Sequence, residues 1–227
     1  MGLLHSGSIV TNGLVLCLDA GNARSYPGTG TIWNDLTVIN SSCELINSPV
    51  YSSTNPGFFQ FNTNTVARIP NNTLLDTQTP TVEVWIKTNA LNQNGFWFEK
   101  GTVNTQYSLF QEGSQIQWRQ RFTNGTLTTL SLSSSSINTT KWFQVVGTFV
   151  SGNRKLYVNG SLLTSDTATG IIDTNNGGMS IGAYGGYSGG RSYYYNGSLS
   201  ICRVYNKVLT QDEILQNFNA TRGRFGL

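Results

Sequence analysis

Charge is scarce in this chain: Asp, Glu, Lys and Arg together make up 11% of its 227 residues, well below the roughly 25% of an ordinary globular protein. The 14 basic and 11 acidic side chains leave a net charge of +3, too weak and too scattered to hold a polyanion. Nucleic acid is therefore not an expected partner. Long apolar runs are missing too. None approaches the ~18 residues that cross a bilayer, so no membrane partner is expected, and residues 1–10 lack the basic-then-apolar order of a secretory signal. The three cysteines, Cys17, Cys43 and Cys202, have neither a close pairing nor a metal-ligand spacing; they are expected to be reduced and partly buried. The one histidine, His5, supplies neither a triad nor a zinc site by itself.

What fills the chain is Asn, Ser, Thr and Gly among short segments of alternating polarity. Leu14 to Asp19 sets three leucines on one face, and Thr81 to Lys87 sets Val82, Val84 and Ile86 on one face with Glu83 and Trp85 on the other. Both read as half-buried strands. The same period recurs in Ser114 to Phe122, Leu127 to Leu132, Trp142 to Val150 and Lys155 to Val158, and roughly a dozen strands fit this template. Asn159-Gly160 marks a type I′ hairpin, because both central positions need positive φ; Asn124-Gly125 is a second candidate. Thr210-Gln211-Asp212-Glu213 reads as a capping box opening one helix, with Ile214, Leu215 and Phe218 facing the sandwich. With no repeat or compositional break, residues 13–227 form one domain, preceded by residues 1–12 as an arm polar enough to contact a neighbour.

Several of these segments carry a family resemblance. Trp142 to Phe149, Leu156 to Gly160, Ile181-Gly182, Asn196 to Tyr205 and Leu209 to Ile214 resemble the laminin-G/pentraxin type of concanavalin A-like sandwich. Gly13 to Asn22, Ser25 to Leu36 and Gln216 to Gly226 resemble a branch common in tailed-phage virion proteins. The resemblance implies an all-β fold, an antiparallel two-sheet jelly-roll sandwich with one short C-terminal helix. It also implies a non-enzymatic protein of the virion's outer surface, a decoration or fibre-associated homo-oligomer docked on partners such as the major capsid protein. The alternative it allows is a lectin-like module for a host or cell-surface glycan, because this sandwich carries many functions.

Catalysis has little to stand on. Glycanases on this scaffold need two carboxylates about 5 to 9.5 Å apart, usually as Glu-x-Asp-x-x-Glu, and the motif is absent. Glu83 is expected to face solvent, and no enzymatic activity is expected. Laminin-G-like domains often bind calcium at the loop rim, where Asp166 and Asp173 are the candidate ligands, with Asn175 and Asn176 assisting. The candidate partner surface is the loop from Gly182 to Tyr195, where Tyr184, Tyr187, Arg191, Tyr193 and Tyr195 sit among Gly and Ser. Such rings give flat amphipathic contact at small entropic cost, for a sugar or for a protein. Trp97 and Trp118 are expected in the core.

Overall fold

The computed structural model describes residues 7–101, 105–175, 177–185 and 192–227. Tyr187, Arg191, Asn176 and His5, singled out above, lie outside the described residues. The alternating segments form strands β1 (Leu14–Asp19), β2 (Ile32–Trp33), β3 (Cys43–Ile46), β4 (Val50–Ser52), β5 (Phe58–Phe61), β6 (Val66–Ile69), β7 (Thr81–Thr88) and β8 (Gly95–Gly101). They continue as β9 (Thr105–Glu112), β10 (Gln115–Arg121), β11 (Leu127–Ser133), β12 (Phe143–Val150), β13 (Asn153–Val158), β14 (Ser161–Asp166), β15 (Met179–Ile181) and β16 (Gly197–Tyr205), ahead of helix α1 (Gln211–Thr221).

Two eight-stranded antiparallel sheets result. One runs β14-β13-β12-β7-β16-β5-β4, with β1 also paired to β16; the other runs β11-β10-β9-β8-β15-β6-β3-β2. Every pairing is antiparallel, the jelly-roll-like sandwich that the resemblance implied. Val82, Val84 and Ile86 meet Trp97, Phe98, Tyr107, Leu109 and Trp118 in the core between the sheets. Trp97 and Trp118 are both fully buried, and the Trp118 indole donates to the Thr148 carbonyl at 3.0 Å. The Asn159-Gly160 turn has φ of 51° and 76°, as the hairpin requires.

The first sheet is covered on its outer face as well, which corrects the half-buried reading of β7. Glu83 is 0% exposed. Its Oε1 accepts from Trp85 Nε1 at 3.1 Å, Gln144 Nε2 at 3.0 Å and Arg203 Nη1 at 2.8 Å, while Oε2 accepts from Asn217 Nδ2 at 2.9 Å. Asn217 belongs to α1, so the helix lands on this carboxylate. Trp85 stacks on Phe225 with ring centroids 4.0 Å apart. Ile214 is buried, but Leu215 is 42% exposed, a correction to the expected helix face. The capping box forms as expected, with the Thr210 hydroxyl accepting from Glu213 N and the Glu213 carboxylate from Thr210 N.

Within the polar segment before β1, Ser8 and Val10 are tied to the domain by hydrogen bonds. Val10 N donates to Asn217 Oδ1 at 2.8 Å, Gln216 Nε2 to the Ser8 carbonyl at 2.8 Å, and the Tyr205 hydroxyl to the Val10 carbonyl at 3.1 Å. All three cysteines are free and buried, deeper than expected, and burial pushes each thiol up from its ordinary pKa. No described helix is long and apolar enough to cross a membrane.

Candidate functional site

Among the described residues no α-helix covers the outer face of the second sheet, and there the strand alternation places an aromatic and cationic patch. Cross-strand register pairs Phe96 with Phe110, Phe110 with Gln117, and Arg119 with both Ser108 and Thr129. The alternate residues Trp118, Leu109, Ile116 and Leu130 point into the core, so these side chains must point away from it. Phe96 and Phe110 stack at 4.3 Å with an interplanar angle of 6°. The Arg119 guanidinium lies 4.2 Å over the Phe110 ring, a cation–π contact.

The Gly/Tyr segment is fastened over the edge of this patch by its backbone. Gly182 N donates to the Phe96 carbonyl at 3.0 Å, Phe96 N to the Tyr193 carbonyl at 3.3 Å, and Tyr184 and Ser192 exchange backbone bonds at 2.9 and 3.3 Å. Tyr184 and Tyr193 then close an aromatic group around Phe96, at centroid distances of 5.1 and 6.4 Å. A cavity of about 330 Å³ opens between them, lined chiefly by Asn94, Phe96, Phe110, Glu112, Arg119 and the two tyrosines. It is large enough for a small-molecule site. Tyr193 is 51% exposed and holds φ at +49°, a left-handed conformation that costs a bulky residue about 1 kcal/mol or more.

The polar groups of the cavity are arranged around Arg119. Its Nε donates to Thr129 Oγ1 at 3.2 Å and its Nη2 to Gln117 Oε1 at 3.3 Å, and Glu112 Oε2 lies 3.5 Å from Nη2. Burial pulls the guanidinium pKa down, against the opposing pull of Glu112, Tyr184, Glu99 and Tyr193; it stays protonated. Glu99, buried beside the patch, accepts from the Thr105 hydroxyl at 2.7 Å and from Gly185 N at 2.6 Å. Burial pushes the Tyr184 hydroxyl up, helped by Glu99, while Thr105, Arg119 and Arg121 work against it.

Of the expected partner-binding residues, the fold brings Tyr184 and Tyr193 to the cavity and takes Tyr195 away. Tyr195 is 0% exposed, edge-on to Trp97 at 6.2 Å, and burial drives its hydroxyl far up; it is a core residue and not a ligand contact. Phe96, Phe110, Glu112 and Arg119 went unread in the sequence. The alternation within Gln115–Arg121 does carry a signal, since it sets Gln117 and Arg119 opposite Ile116 and Trp118.

The calcium candidates do not assemble. Asp166 takes the Arg154 guanidinium in a two-point contact, Nε at 3.0 Å, and Asp173 lies 3.4 Å from Arg121 Nε. Asn175 accepts from Gln106 Nε2 through its carbonyl at 2.6 Å. Nearby, the buried Lys100 ammonium donates to Asn71 Oδ1 at 3.0 Å, Asp76 Oδ1 at 2.7 Å and the Gly177 carbonyl at 2.6 Å. A protein cation thus holds oxygen ligands at this rim, and no cluster of three or more His, Cys, Asp or Glu side chains exists among the described residues. This donor set does not fit calcium, which takes six to eight oxygens. A larger groove of about 840 Å³ beside the end of α1 includes Asp19, Arg203 and Arg224, but Arg203 is engaged by Glu83 and Arg224 by Asp19.

Comparison with known proteins bears on the fold. No curated protein matches the chain. Solved structures similar to it include the binding domain of botulinum neurotoxin DC in complex with SialylT, at 15% identity and a TM-score of 0.72, over 92% of this chain and 51% of that one. A botulinum neurotoxin type C structure, whose cell entry is described as dependent on interaction with two ganglioside molecules, matches at 15% identity and 0.70, over 92% and 51%. The binding domain of Paraclostridial Mosquitocidal Protein 1 matches at 17% and 0.70, over 92% and 52%. The chain spans about half the length of these structures, and at such identities the likeness is one of fold. A laminin-G-type family model covers residues 61–215, more than half of the sequence, and does not reach the narrower virion branch. The chain belongs to the concanavalin A-like lectin/glucanases superfamily.

Proposed function

We propose that the chain is a carbohydrate-binding module, with one saccharide unit seated in the cavity between Tyr193, Tyr184 and Arg119. The observation that carries this is Tyr193: a half-exposed ring held at φ +49° over the stacked Phe96 and Phe110. Strain of that kind is retained where a side chain must be presented. An exposed ring offers a flat apolar face to the C–H face of a sugar, and Arg119, Asn94 and Glu112 line the same cavity with the polar groups that fix orientation. The named ligands of the similar neurotoxin structures, SialylT and gangliosides, support a glycan over other small molecules.

A glycan array probed with the purified protein, followed by calorimetry on the strongest hit, tests the reading. Tyr193→Ala and Tyr184→Ala are each expected to weaken binding at least about tenfold, equivalent to about 1.4 kcal/mol, while the protein stays folded. Silence across the array, or binding indifferent to both changes, overturns it. The virion role, oligomeric assembly and docking on a major capsid protein rest on the sequence resemblance alone.

A further inference from the structure

We infer that Glu112 is a specificity-determining residue that tunes the Arg119 cavity to neutral saccharides and against anionic ones. The inference rests on the carbohydrate-binding reading and adds the ligand class. Among the described residues, Arg119 is the only arginine or lysine lining the cavity, and its side chain is 16% exposed, which makes it the cationic group of that lining suited to a sugar carboxylate or sulfate. Two carboxylates act on it. Glu112 stands 3.5 Å from Nη2, and Glu99 lies buried beside the patch, anchored by Thr105 and Gly185. The neighbouring Arg121 is matched by Asp173 at 3.4 Å and adds no free positive charge.

The two carboxylates differ in how replaceable they are. Glu99 is fixed by two short hydrogen bonds in a fully buried place, so it holds part of the loop and is not available to move. Glu112 ends β9, its side chain is 51% exposed, and it meets Arg119 at ion-pair distance without a hydrogen bond. Thr129 already takes a hydrogen bond from Nε and Gln117 one from Nη2, so Arg119 keeps its place without Glu112. A ligand carboxylate entering here meets Glu112 at close range, and like charges a few ångströms apart repel by about 1 to 4 kcal/mol depending on solvation. A neutral ring meets no such penalty, and its hydroxyls can donate to Glu112 and accept from Arg119.

The test compares the wild-type protein, Glu112→Gln and the double change Glu112→Gln with Arg119→Gln on one array carrying neutral, sialylated, uronate-containing and sulfated glycans, with thermal melts as the folding control. The wild type is expected to bind neutral glycans. Glu112→Gln is expected to raise the ratio of acidic to neutral affinity about tenfold, and the double change to abolish that gain. Wild-type binding that favours acidic glycans, or a ratio unmoved by Glu112→Gln, overturns the role of Glu112 and leaves the carbohydrate site standing. Folded proteins that bind nothing in any form overturn the underlying reading instead.

Discussion

Glu83 shows how much a single buried carboxylate organises here. It joins β7, β12, β16 and α1 through Trp85, Gln144, Arg203 and Asn217, and Arg203 beside it is 4% exposed. Burial works against the Arg203 charge, but Glu83, together with Cys17, Tyr205 and Asp19, outweighs it and draws the pKa upward. Glu83→Gln leaves a guanidinium buried without a counter-charge, and a loss of about 3 to 5 kcal/mol is expected, read from the denaturant midpoint. A loss under about 1 kcal/mol would show that the network is dispensable. Tyr193 offers a test of opposite character. Tyr193→Gly and Tyr193→Ala remove the same ring, but only glycine is at ease at φ +49°, so the glycine variant should be the more stable by about 1 kcal/mol with both equally poor in glycan binding. At this scale the sequence was partly readable. The tyrosine cluster announced itself by composition, whereas Arg119, Phe96 and Phe110 become neighbours only through pairing of β8, β9 and β10, which no short window of sequence contains.

The most legible elements are those whose cause is local. The α1 capping box and the Asn159-Gly160 turn follow from adjacent residues and formed where expected. Thr210→Ala is expected to cost about 1 kcal/mol, measured by equilibrium unfolding, and an unchanged midpoint would deny the cap its role. The cap and the β13–β14 edge also set a pH dependence. Burial raises the Glu213 carboxyl, but Lys207 and Thr210 outweigh it and hold the pKa below its ordinary value; Arg154 and the Ala168 amide do the same for Asp166 against its own desolvation. A carboxylate with a depressed folded pKa stabilises fully above its unfolded pKa and loses that contribution as pH falls through the folded one. Stability should therefore be level from neutral pH to about 5 and fall below about 4, more shallowly in Asp166→Asn and Glu213→Gln. A wild-type curve that both variants match would contradict this. What local sequence could not say is which sheet face the helix covers: Glu83 and Trp85 alternate with apolar residues like any solvent-facing pair, and only α1, far along the chain, buries them.

The whole molecule is asymmetric in a way that assigns its surfaces. One sheet carries α1, Phe225 and the segment from Ser8 to Val10 on its outer face, which closes that face with the molecule's own residues. The other leaves a strained tyrosine, two stacked phenylalanines and one arginine around an open cavity. Hydrophobic alternation and turn chemistry made the strands visible in advance, and the family resemblance implied the sandwich, with which the family match agrees; the asymmetry needed coordinates. The most direct measurement is a titration of isotope-labelled protein with its strongest array ligand, followed by amide chemical shifts. Perturbations are predicted to gather at residues 94–96, 110–112, 119, 184 and 193. Perturbations centred on the groove around Arg203, Arg222 and Arg224, or no saturable shifts with any saccharide, would contradict the account.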